Sequence, residues 1–94
     1  MTKYAKYKHC IIKKKIYYLC QITWYDILGD TGHSSFDEFF EMKPAIICTN
    51  AYVFSKNKKF LKTFSSYDLN HEFFSDRNCI PIGCVINLKK LLNA

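Results

Sequence analysis

The chain has 94 residues and a formal net charge of +6. That is enough for one domain and too little for two. No apolar run approaches the roughly 20 residues needed to span a bilayer, and the basic start MTKYAKYKHCIIKKK is not followed by the apolar stretch of a signal peptide. A membrane protein and a secreted one are therefore not expected. The five cysteines, Cys10, Cys20, Cys48, Cys79 and Cys84, are odd in number and irregular in spacing, which points to free thiols in a reducing compartment. Cys20 and Cys48 lie inside apolar runs and read as small core hydrophobes.

In chain order, residues 1–15 form a basic lead that lacks clear periodicity, with a short strand conceivable over 10–15. The domain proper is expected over 16–94. Ile16, Tyr18, Cys20, Ile22 and Trp24 recur at period two and define a strand over 16–27 with that face on the core. Tyr17, Gln21, Thr23 and Tyr25 fill the opposite face. The glycines of LGDTGHS mark a loop. Ser35 with Glu38 three residues on fits a capping box, and Phe36, Phe39 and Phe40 share one face of a short helix that ends before Pro44. AIICTNAYVF, 45–54, reads as a second strand. SKNKK is a polar loop, and FLKTFSSY, 60–67, is a third strand that makes a hairpin with the second. DLNHEFFSDRN is a loop, CIPIGC a turn, and VINLKKLL the last strand, with Ile86 and Leu88 toward the core.

This order predicts a mainly β fold: a small SH3-like open barrel of about four or five strands with one short helix. An α+β sandwich, with the helix laid across the sheet, is the alternative.

Charge is unevenly placed. Six lysines fall in the first fifteen residues with no acid among them, and the remaining chain is neutral. The stretch from Asp26 to Glu41 carries Asp26, Asp30, Asp37, Glu38 and Glu41 and no Lys or Arg. These five acids are the candidate partner-binding residues, since an acidic segment beside exposed aromatics can dock and steer a basic protein surface. With His33 they also resemble a divalent-metal donor set, but the spacing fits no EF-hand loop and a solvated acidic face explains them better. Cys79, Cys84, His71 and His9 form no zinc pattern with a second ligand pair. Catalytic residue types are present, but no motif fixes them together, and the three glycines build no phosphate loop. The expectation is a non-enzymatic protein with no metal and no cofactor. Nucleic acid is the alternative partner: Lys13, Lys14, Lys15, Tyr17, Lys58 and Lys59 interleave cations and aromatics as single-strand-binding barrels do. Against it, the composition is rich in residues with AT-rich codons, which puts lysine at exposed positions with no partner implied.

The segments ITWYDILGDTGHSSFDEF, MKPAIICTNAYVF, KTFSSYDL and FSDRNCIPIGCVINLKKL, taken in order, resemble a family of small bacteriophage proteins with a Trp-x-Asp-Ile strand end, an acidic loop and short helix, a hairpin and a closing Ile-Pro-x-Gly-x-Ile/Val strand. The resemblance covers roughly residues 20–91 and leaves the basic lead outside. It implies a viral accessory protein acting in the host cytoplasm and carries no mechanism. The combined expectation is a phage accessory protein, monomer or homodimer, that binds a host or viral protein, possible inhibition included.

Overall fold

A computed structural model describes residues 6–70 and 73–93. The protein is mainly β. Its strands are β1 (His9–Ile12), β2 (Lys15–Asp26), β3 (Ala45–Lys56), β4 (Phe60–Phe64), β5 (Ser66–Tyr67), β6 (Phe74–Ser75), β7 (Asn78–Pro81) and β8 (Val85–Lys90). One helix, α1 (Phe36–Phe40), lies between β2 and β3, and a 3-10 turn, Ile82–Cys84, lies between β7 and β8.

The long strand β2 organises the sheet. One edge pairs antiparallel with β3 from Leu19↔Tyr52 to Asp26↔Ala45. The other edge is shared: β1 takes its first half, with Cys10↔Tyr17, and β8 its second, with Ile22↔Leu88. Where the two segments meet, three backbone bonds close a ring. Leu19 donates to the Lys8 carbonyl (2.9 Å), Leu91 to the Leu19 carbonyl (3.0 Å) and Lys8 to the Leu91 carbonyl (2.8 Å). Beyond β3 the order continues through β4 to β7.

Chain length forces this sheet to curl. In a flat sheet β7 and β8 would stand four strand spacings apart, about 19 Å. The three residues of the 3-10 turn link Pro81 to Val85, a reach of about 14 Å at most. The edges are drawn toward each other, yet among the described residues no ladder joins β7 to β8, so the sheet stays open.

Each face of the sheet carries an apolar cluster. On the first, Cys20, Ile22, Ala51, Leu61 and Ile80 are buried, with Tyr18, Trp24 and Leu88 packed around them. This is the predicted face of β2. On the second, Cys10, Ile12, Tyr17 and Phe64 are buried with Tyr52, Tyr67 and Phe74. Tyr17, read as lying away from the core, is thus a core residue. The small β5–β6 ribbon folds over it and supplies an edge-on ring, with Phe64 and Phe74 centred 4.7 Å apart. Phe74, read as loop, is part of that ribbon.

Four further details come from the structure. The boundary drawn at residue 15 falls inside the β1–β2 hairpin: Cys10 and Ile12 cover Tyr17, so that part of the basic lead belongs to the sheet. Cys48 is exposed, because its face of the sheet is uncovered toward the Asp26 end of β2. Ile86 is 46% exposed while Val85 and Leu88 pack on the first core, because the β2–β8 register shifts between Asn87 and Val85 and leaves Ile86 as the extra, bulged residue that breaks the alternation. The third strand also breaks at Ser65 into β4 and β5.

Candidate functional site

Residues 27–44 leave the sheet at the Asp26↔Ala45 pair and return to it there, forming an arm around α1. The helix is built as the sequence indicates. The Glu38 N–H donates to Ser35 Oγ (3.2 Å), and Ser35 Oγ donates to Glu38 Oε1 (3.1 Å). Asp37 and Glu38 occupy the first turn, where the helix dipole favours acids. Asp30 fixes the preceding loop by accepting from the Gly32 N–H (2.8 Å). Glu41 caps the C-terminal end, its N–H donating to the Asp37 carbonyl while the Met42 N–H donates to the Phe39 carbonyl. Asp26 sits at the arm's root. All five acids are exposed, and Lys43 is the only Lys or Arg between Asp26 and Pro44.

Sequence reasoning set exposed aromatics beside these acids without naming them as site residues. No residue of α1 is buried. Phe36, Phe39 and Phe40 are 80, 69 and 75% exposed, and Ile27 is 84% exposed. Phe36 and Phe40 stack with centroids 6.1 Å apart, so they offer a joined apolar face rather than scattered side chains. A phenyl side chain carries about 150–250 Å²; these four residues therefore present on the order of 500 Å², the scale at which a patch on a soluble chain marks an interaction site. The i, i+3, i+4 spacing of the phenylalanines was the available signal, but that pattern is the same for a face that meets the chain's own core and one that meets another molecule.

The alternative set lies at the other end. Lys13 and Lys14 form the two-residue turn of the β1–β2 hairpin, both at positive φ (49° and 66°). Lys58 and Lys59 lie in the β3–β4 turn, where Asn57 Oδ1 accepts from the N–H groups of Lys59 and Phe60 (2.8 Å each). Because β2 and β3 are antiparallel, these two turns share one end of the sheet and the arm occupies the other. Tyr17 does not join the set as a stacking surface: it is 7% exposed, with the Lys15 ammonium 5.4 Å from its ring centre.

Between β4, β7 and β6 runs a groove of about 650 Å³ lined by Phe54, Phe64, Phe73 and Phe74, with Lys62 and Arg77 contributing cations. Among the described residues no three His, Cys, Asp or Glu side chains gather to hold a metal ion; His71, considered for zinc, lies outside those residues. Burial pushes the Cys10 and Cys20 thiols up from their ordinary 9.0, against smaller opposing contributions from a Tyr67 hydrogen bond and from Lys90 respectively. Those two are packing groups rather than nucleophiles. Among the described residues, no helix is long and apolar enough to cross a membrane.

Set against known proteins, the chain matches no family model, no curated protein and no solved structure.

Proposed function

We propose that the chain is a non-enzymatic protein-binding module, a phage accessory protein working in the host cytoplasm, whose acidic arm seizes a basic surface of another protein. We read its curled sheet as an SH3-like open barrel that serves as the rigid base. The observation that carries the reading is the exposure of Phe36, Phe39, Phe40 and Ile27 on a segment ringed by five acids. Apolar area supplies affinity and the acids supply steering and register. The division suits a small chain: the sheet holds both cores, and the arm adds nothing buried from its helix to either.

The test is affinity capture with the tagged wild type and with Asp37→Lys combined with Glu41→Lys, which spares the cap residue Glu38. The variant is expected to keep the wild-type circular dichroism and to lose the captured protein. Undiminished capture would overturn the reading. The nucleic-acid alternative is supported by the lysines that two hairpin turns bring to one end. It predicts oligonucleotide affinity that falls steeply with salt and is lost when Lys14, Lys58 and Lys59 become Ala.

A further inference from the structure

We infer that the arm's partner is a second copy of this chain, the acidic tip of one molecule docking head to tail in the basic aromatic groove of the next. The inference rests on the proposed reading of the arm as a protein-binding element and names what it binds.

Shape and charge together carry it. The molecule is an elongated body of 58 × 28 × 26 Å. Its radius of gyration is 16.9 Å, where a compact chain of this length would have about 12 Å. Asp68 and Asp76 flank the β5–β6 ribbon, and the other acids among the described residues gather at one end. One end holds Asp26, Asp30, Asp37, Glu38 and Glu41. The other holds Lys14, Lys15, Lys56, Lys58 and Lys59, and no Asp or Glu occurs between Lys6 and Tyr25 or between Ala45 and Tyr67. The twelve residues of β2 set the two ends about 35–40 Å apart; the groove lies between them, its Asn78 and Cys79 also lining a hollow with Asp26 and Ile27 at the arm's root. The phenylalanines of the arm are exposed on the single chain, open to the groove of a second molecule.

Apolar surfaces match in the same sense. The groove lies on β4 and β7, with Lys62 paired across the ladder to Cys79 and to Ser55. Phe54 remains 40% and Phe73 68% exposed along it. The stacked Phe36 and Phe40 rings of an incoming arm would cover these, and Asp37 and Glu41, on the same two turns, would meet Lys62 and Arg77. This is helix-in-groove recognition with charge setting the register. The two faces differ, so the contact is heterologous and propagates into a filament or closes into a ring.

Light scattering and sedimentation test this directly, in low salt (about 20 mM) and in about 0.5 M salt, where surface charges are screened. Three proteins are needed: wild type, an arm variant (Asp37→Lys, Glu41→Lys) and a groove variant (Lys62→Glu, Arg77→Glu), each checked for wild-type circular dichroism. Wild type is expected to grow in mass with concentration in low salt and to dissociate in high salt. Each variant alone should be monomeric, its self-affinity weakened on the order of a hundredfold. An equimolar mixture of the two should assemble again, because the unchanged arm of one fits the unchanged groove of the other and the two reversed faces have opposite charge. A wild type that stays monomeric at about 100 µM, far above a micromolar interaction, overturns the inference, as does undiminished assembly of either variant. If wild type is monomeric but the arm variant still loses a heterologous protein, self-docking falls and the arm's binding role stands; if capture is also unchanged, both fall. Single-stranded oligonucleotide binding to monomeric wild type, lost in the groove variant, would assign the groove to nucleic acid and overturn self-docking.

Discussion

At the residue scale, a buried hydroxyl and two buried thiols have measurable consequences. Thr63 is 2% exposed, and among the described residues its hydroxyl oxygen has no hydrogen-bond partner. A buried unsatisfied hydroxyl costs about 1–3 kcal/mol, and valine keeps the β-branched shape that β4 packs. Thr63→Val should therefore raise stability by about 1–2 kcal/mol, seen as a higher urea midpoint with an unchanged slope. The buried thiols set a pH dependence. Cys10 and Cys20 are both raised above 9.0 by desolvation, so the unfolded chain releases these protons first as pH rises. Their contribution is fully present below the unfolded value and is lost on the alkaline side as pH climbs through the folded values. Thermal scans from about pH 8 to about pH 10.5 should show falling stability, and Cys20→Ala should shallow that decline. A thiol reagent near neutrality should label Cys48 and Cys79, which are exposed, well before Cys10 and Cys20.

At the scale of elements, the β1–β2 hairpin makes the sharpest prediction. Its turn residues Lys13 and Lys14 both occupy left-handed backbone, a conformation that costs an L-residue with a long side chain about 1 kcal/mol and that Asn-Gly adopts readily. Lys13→Asn with Lys14→Gly should raise the melting temperature by a few degrees, consistent with roughly 1 kcal/mol in a domain this small. Lysine pairs in such a turn give no hairpin signal, which is why β1 was only faintly legible from its sequence. The elements that were legible carry strong local codes: alternation in β2 and the Ser35–Glu38 cap of α1. What could not be read depends on contacts far apart in sequence. Tyr17 is buried because Phe64 and Phe74, near the other end of the chain, fold over it. Alternation says only that Tyr17 and Tyr18 face opposite ways, not that each face carries an apolar cluster. The acidic arm was legible as a charged helix; its apolar face was visible as a pattern but not as a surface left open.

At the scale of the whole molecule, the fold divides into a sheet that holds both cores and an arm whose Ile27, Phe36, Phe39 and Phe40 stay exposed, and the division can be tested by removing the arm. Asp26 and Ala45 are already paired across β2 and β3, so residues 27–44 close what is otherwise a hairpin. Replacing those residues with Asn-Gly supplies a two-residue turn whose twist suits the flanking strands. No side chain of α1 is lost from either core. Shortening the loop about ninefold reduces its closure entropy by about 2 kcal/mol on the logarithmic scaling. Against this stands the modest contact of Phe39 and Met42 with Tyr25 and Cys84 around a shallow hollow at the arm's root. The entropy gain should offset that loss. The shortened chain is expected to unfold cooperatively, within a few degrees of the wild type, and to bind no partner by the arm. A shortened chain that cannot fold would mean that the arm contributes to the core, and its phenylalanines would then be structural residues rather than a docking face.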